Sequence, residues 1–370
     1  MKINKTQAKI DTPFALFKNF SVNKIHGVEV FCVSPPEDVV VSPFVFINGN
    51  QSIKKSLESK VKNSPPVFIY SADEVKLFGH GLIVDSDENR IFDHRAIPEV
   101  GRLDHGFNKR ILIEKDRSFE FKSGLVKKNL DEEVDYAILS QAGQGVYGHW
   151  LVDILPRLAL MESCGFDGRY ILHEPIPRFG WDLIDEFGVK RNRFISFDPE
   201  NQFISTQKAW IPGSVRSGNS FSRVSLFAFQ RMRKYSINYS LRKKIYVSRA
   251  NFRGKNQIIE NRSLLESLAV KNGFDIIHPE TKSISEQIEI FSSAQFVAGE
   301  YGSAMHNSIF SPSFCKVLVF QSSEHPHFIQ AGLCNVVGQS IGFVFGDAEK
   351  NSRNFSVNLS DAEAAFDLMK

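Results

Sequence analysis

Between residues 244 and 320, short apolar runs alternate with segments whose apolar positions recur every three or four residues. Ile245, Tyr246 and Val247 form one such run, closed by the polar pair Ser248 and Arg249. Leu264, Leu265, Leu268 and Ala269 then share one helical face, and Asn272-Gly273 supplies a C-terminal stop. Residues 274–277 make a second run ahead of Pro279, and Ile284, Ile288, Phe291 and Ala294 mark a second helix. That helix starts on Ser283 with Glu286 three residues later, the spacing of a capping box. The run at 295–298 empties into a small-residue loop from Gly299 to Ala304, followed by a helical pattern over 303–310 and a run at 316–320. The pattern predicts strands at 244–248, 274–277, 295–298 and 316–320, and helices at 261–270, 284–293 and 303–310. Such alternation implies an α/β domain with a parallel sheet of Rossmann type, because every parallel connection needs a crossover.

The alternation has an earlier counterpart, with strands predicted at 136–139, 170–172, 194–196 and 207–211 and helices around His149 and over 180–187. Ahead of it, 28–33, 39–42, 44–47, 65–70 and 82–85 read as short strands punctuated by Pro35-Pro36, Pro43 and Asn48-Gly49. The chain is thus expected to divide into a β-rich extension (1–130), a Rossmann-like domain (131–238), a second one facing it across a cleft (239–350) and a C-terminal helix (351–370). The junction is expected near 236–243. The amphipathic end at 359–369, with Ser360 as its cap, is expected to cross back onto the N-terminal domain.

Composition suits that division: 370 residues, 42% hydrophobic and 12% aromatic, are enough for a core in each domain. The 33 phenylalanines read as core filling, and 45 basic against 42 acidic side chains leave a net charge of +3. Nothing in that balance calls for a nucleic-acid partner. The strip Arg231-Met-Arg-Lys234 with Arg242-Lys-Lys244 reads as a solvated face that leaves room for contact with anionic lipid. Cys32, Cys164, Cys315 and Cys334 show neither metal-ligand nor disulfide-framework spacing. No apolar leader and no run of 18 apolar residues occurs, so a cytoplasmic protein is expected.

Two places carry candidate chemistry. Gly299, Gly302, Ser303 and Ala304 allow close backbone approach, and the amides of the following helix suit a phosphate or diphosphate. Arg249, directly after an apolar strand, stands at the sheet edge where α/β proteins bind ligands and suits bidentate bonding to a diphosphate, with Arg253 and Lys255 just beyond. In the earlier domain, His149 and Asp153 lie four apart on one helix face behind Gly143, Gly145 and Gly148. A His-carboxylate pair so placed serves either as a general base, with either residue in that role, or as a hydrogen bond fixing a helix end. Asp85-Ser-Asp87 reads as turn chemistry rather than as a cation loop, so no metal is expected.

Ser248-Arg249, Glu260-Asn261-Arg262, Glu286-Gln287-Ile288 up to Ala294, Gly299-Glu-Tyr-Gly302-Ser303-Ala-Met-His-Asn307 and Val317-Leu-Val-Phe320 together resemble the C-terminal half of family 61 glycosyltransferases. The block from Tyr147 to Arg157, a His followed by an aromatic, an acid and Leu-Pro, resembles that family's N-domain signature. Two positions depart from its pattern: Arg262 stands where the family usually has Glu, and Tyr301 where it usually has His. The resemblance implies a glycosyltransferase B architecture and a bacterial, capsule-type enzyme. Its reaction would be inverting, metal-independent transfer from a nucleotide-sugar donor, UDP-linked, to a hydroxyl of an oligo- or polysaccharide acceptor. It implies donor binding by Ser248, Arg249, Arg253, Asn261, His278, Glu300, Tyr301, Gly302, Ser303, Ala304, His306 and Asn307, and no cofactor. The base would be His149 or Asp153, and location cytoplasmic, with peripheral contact with the inner membrane or other glycan-assembly enzymes. A non-catalytic glycan- or nucleotide-binding component, a nucleotide-sugar epimerase and a phosphate-ester hydrolase are the competing readings.

Overall fold

The computed structural model describes residues 2–4, 9–11, 28–85, 90–92, 112–115, 118–234, 243–252, 258–348 and 352–369. It is a mixed α/β structure with several sheets. Packing divides it into Met1–Pro36 with Pro65–Ser217, and Glu37–Ser64 with Gly218–Lys370. The limits drawn from the sequence at 130 and 238 do not coincide with these units, and the junction expected near 236–243 falls largely outside the described residues.

In the first unit, Phe194–Phe197, Arg169–His173, Tyr136–Ile138 and Gln202–Pro212 lie side by side in that order, all parallel. Counted along the chain, the order is third, second, first, fourth. The winding therefore reverses between Tyr136–Ile138 and Gln202–Pro212, and the loops leaving those two strands diverge where such sheets open their ligand crevice. Val67–Phe78 continues the sheet antiparallel to Gln202–Pro212, and Leu82–Asp85 and Val28–Ser34 pair with Val67–Phe78. This corrects the expectation of a separate β-rich extension. Phe68, Tyr70, Leu77 and Ile83 share one core with Tyr136, Ile138 and Ile211, since an isolated hairpin buries too little to stand alone. The helix Arg178–Phe187 buries Gly180, Leu183, Ile184 and Phe187, a helical stripe, and ends at the left-handed Gly188.

In the second unit, Asp275–Ile277, Lys243–Val247, Ala294–Glu300, Lys316–Ser322, Ser340–Gly346 and Val45–Ile47 form one parallel sheet in that order. Its winding reverses between Lys243–Val247 and Ala294–Glu300. The central strands are buried almost throughout, as a sheet covered on both faces requires. The capping box on Ser283 forms as the spacing predicts. The helical pattern after Gly302 is realised as 3₁₀ turns over Ser303–Phe310.

Residues 37–64 hold further corrections. The apolar residues 39–42 form no strand: Val39 is buried but Val40 is 82% exposed, and Pro43 has no N–H for a ladder. Val45–Ile47 instead takes the edge of the second unit's sheet, followed by the helix Gln51–Lys60 on an Asn50 cap, with Ile53 and Leu57 buried. The C-terminal helix Leu359–Asp367 buries Ala362, Ala365 and Phe366 in the second unit's own core, Phe366 against Phe274 and Phe320. Its apolar face is used in that core. Its cap is Asn358, whose side chain accepts from the Ser360 amide.

Candidate active site

Both polar clusters stand where a sheet reverses its winding. In the first unit, the chain leaving Tyr136–Ile138 enters the turn Tyr147–His149, a π-helical turn over Trp150–Ile154, and the α-helix Leu155–Ser163. The simple helix expected around His149 is thus loosened to a five-residue hydrogen-bond step, Leu155 N–H to the Trp150 carbonyl, just ahead of Pro156, whose missing N–H interrupts the regular ladder. His149 and Asp153 still meet, with Nδ1 2.7 Å from Oδ2. Gly143 makes room for the ring: its φ is +88°, and a Cβ there would stand 2.9 Å from His149 Cδ2. The His149 side chain is 39% exposed and that of Asp153 9%, so the imidazole faces outward on a hidden carboxylate.

Asp153 has a second partner that sequence reasoning missed. Arg216, which opens the short strand Arg216–Ser217 a few residues after Gln202–Pro212, forks onto the carboxylate, Nε to Oδ1 at 2.5 Å and Nη2 to Oδ2 at 3.0 Å. Burial alone would push this carboxyl up, but the Arg216 charge and the hydrogen bonds from His149 and Arg216 outweigh it and hold it well below the usual carboxylate range. The available signal was a cation just beyond an apolar strand, the same one that singles out Arg249. Arg157 differs. It is fully buried and donates to the carbonyls of Pro212, Leu139 and Ile138 and to the Gln141 side chain. Burial pulls its guanidinium down to about 10, with Asp153 opposing, and its donors are spent tying strand ends together.

A buried histidine lies at the end of the neighbouring strand. His173 meets Ser140 Oγ at 2.8 Å through Nδ1 and His80 Nδ1 at 2.9 Å through Nε2. Burial, reinforced by the His80 charge, pulls its pKa from 6.5 down to about 3. The unfolded chain therefore binds a proton below pH 6.5 that the folded chain refuses until about pH 3. The resulting stability is complete above the unfolded value and is lost as pH falls through that window, a contribution of roughly 2–4 kcal/mol. Urea titrations from pH 7 to 4 are expected to show a steep loss of stability in the wild type and a shallower one in His173→Gln. Equal slopes would remove His173 as the cause.

In the second unit, Lys243–Val247 delivers Ser248 and Arg249, and Ala294–Glu300 delivers Glu300, Tyr301 and Gly302, across the reversal from each other. Arg249 Nη1 donates to the Tyr301 carbonyl at 2.7 Å, its amide donates to Glu300 Oε1 at 3.1 Å, and its guanidinium lies 4.7 Å from the Phe252 ring centre. A Cβ on Gly302 would approach Arg249 Cζ to 3.2 Å, so the glycine keeps the loop close to the cation. Among the described residues that carbonyl is the one acceptor of a guanidinium with five donors, in contrast to Arg157. Burial lowers the Arg249 pKa from its solvated value and Glu300 opposes it, so it remains a cation.

Glu300, 2% exposed, is forked by Arg262, Nε to Oε1 at 2.6 Å and Nη2 to Oε2 at 2.9 Å. An unpaired carboxylate at that depth costs several kcal/mol, so Arg262 anchors the end of the strand. The Tyr301 ring stacks on His327 at 4.7 Å and 4° between planes, which occupies one face.

The glycosyltransferase 61 family model matches residues 147–318, from the His149 turn into the strand Lys316–Ser322. The chain carries a family 61 glycosyltransferase domain. No curated protein matches it. Within this glycosyltransferase, Arg249, Glu300, Tyr301 and Gly302 come together as one loop cluster, with Ser303 and Ala304 half-buried beside it. Ser248 bonds Glu266 and accepts from the Ala250 amide, shaping the turn beneath Arg249. His278 ends the strand Asp275–Ile277, with Nδ1 buried and unpaired. Three residues expected in the donor site serve packing. Asn261 clamps both backbone groups of Val357, His306 meets Gln330 in the interior, and Asn307, fully buried, donates to Gln287. The tight 3₁₀ winding after Gly302 turns these last two inward. Arg253 and Lys255 lie outside the described residues, as do Ser86 and Asp87 of the Asp-x-Asp motif. Among the described residues no group of three or more His, Cys, Asp or Glu is placed to hold a metal ion, and no helix is long and apolar enough to cross a membrane.

Proposed function

We propose that this glycosyltransferase is inverting and moves a sugar from a nucleoside diphosphate donor, UDP-linked, to a hydroxyl of a glycan acceptor in polysaccharide biosynthesis. The observation that carries this reading is the Arg249 guanidinium, held by one carbonyl against Gly302 at the sheet's reversal, with its remaining donors unpaired among the described residues. A diphosphate leaving group needs positive charge and amide donors where its own charge develops, and Arg249 with the amides around Gly302 and Ser303 supplies both. In this reading the chain needs no divalent cation.

His149 is the base. Its Nδ1–H donates to Asp153, which leaves Nε2 to take the proton of the acceptor hydroxyl as oxygen attacks the anomeric carbon. Asp153 is too weakly basic for that role, because Arg216 and His149 both stabilise its charged form. A single displacement with the diphosphate departing from the opposite face inverts the anomeric centre. Division of base and donor binding between two Rossmann-like units, the glycosyltransferase B organisation, belongs to the same reading, as does a cytoplasmic site of action at the membrane periphery.

The test is turnover with a panel of nucleotide sugars and oligosaccharide acceptors, following UDP release and product configuration by NMR. Inverted product and a rate unchanged by EDTA are expected. Retained configuration, or loss of turnover on chelation, would sink the proposal.

A further inference from the structure

Asp153 is buried, yet both its oxygens are committed before any substrate arrives: Oδ1 to Arg216, Oδ2 to Arg216 and His149. A carboxylate at this depth stays charged only with a hydrogen-bonded cation beside it. Two arginines are near enough to act on it, Arg157 from its own helical run and Arg216 from the short strand Arg216–Ser217. Arg157 feels the Asp153 charge but spends its donors on Pro212, Leu139, Ile138 and Gln141, so it cannot replace the fork. The Arg216 backbone is itself pinned, its carbonyl accepting from Ser214 Oγ at 2.8 Å and its amide donating to it at 3.3 Å. The fork thus comes from a fixed short strand on the far side of the winding reversal and fixes the carboxylate plane that His149 Nδ1 reads.

We infer that Arg216 is a positioning residue for glycosyl transfer. It locks Asp153 as an oriented carboxylate, and through it sets the direction in which His149 Nε2 meets the acceptor hydroxyl. The inference rests on His149 being the base. Among the described residues the charged groups on this cluster are Asp153, Arg157 and Arg216.

The experiment compares Arg216→Gln, Arg216→Lys and His149→Ala with the wild type in full-length protein, measuring kcat and kcat/KM for UDP release, UDP affinity and Tm. Arg216→Gln is expected to lower kcat on the order of a hundredfold, with UDP affinity within about twofold of wild type. Arg216→Lys restores charge without the fork and is expected to recover part of the loss but to stay about tenfold low in kcat. Wild-type kcat in folded Arg216→Gln, or full kcat in Arg216→Lys, overturns the inference. Should Arg216→Gln fail to fold, Arg216→Lys decides alone. The base assignment fails separately, by transfer persisting in His149→Ala. Loss of transfer in His149→Ala together with wild-type behaviour of both Arg216 variants removes only the role of Arg216.

Discussion

Arg249→Ala raises the dissociation constant for UDP by roughly a hundredfold to a thousandfold, as two or more charge-assisted hydrogen bonds to a partly buried diphosphate imply. Isothermal titration measures it directly, and the thermal stabilisation conferred by saturating UDP disappears in parallel. The variant stays interpretable because, among the described residues, Arg249 makes one side-chain hydrogen bond, to the Tyr301 carbonyl, worth about 1 kcal/mol. Lysine at this position recovers part of the affinity, since it returns a point charge without the planar fork. Undiminished UDP binding in Arg249→Ala would move the donor site away from the reversal between Lys243–Val247 and Ala294–Glu300.

His149→Ala leaves UDP binding intact and lowers kcat by about a thousandfold, the usual worth of a positioned general base. The selectivity of that loss is the informative part, because the proposed donor-binding cluster is built from other strands. Asp153→Asn also loses transfer but carries a stability cost, for it leaves Arg216 facing an amide where a carboxylate took both its donors. Single-turnover rates with donor and acceptor saturating separate the two effects, and transfer retained in both variants would remove the pair from the chemistry.

Much of this was legible in the chain because it rests on local periodicity. The Ser283 capping box forms from residues three apart, and Arg249 after Ile245-Tyr246-Val247 stands at a strand end, as an apolar run closed by a polar pair implies. The helix Gln51–Lys60 was equally local, with Ile53 and Leu57 four apart, but its surrounding prolines and valines suggested strands. His306 and Asn307 came into the donor site through the family resemblance, which carries residue types and spacing but not the 3₁₀ winding that buries both.

By itself the sequence determined the alternating α/β elements, the small-residue loop at Gly302, and the four-residue spacing that lets His149 and Asp153 meet. Those depend on backbone periodicity and side-chain size within a few residues. Only tertiary structure decided that Arg216 reaches Asp153 across 63 residues, that Arg262 neutralises Glu300 across 38, and that Phe366 packs on Phe274 and Phe320. Strand order brings these pairs together. That order is chosen by how whole faces bury one another, a sum over the core that no local pattern carries.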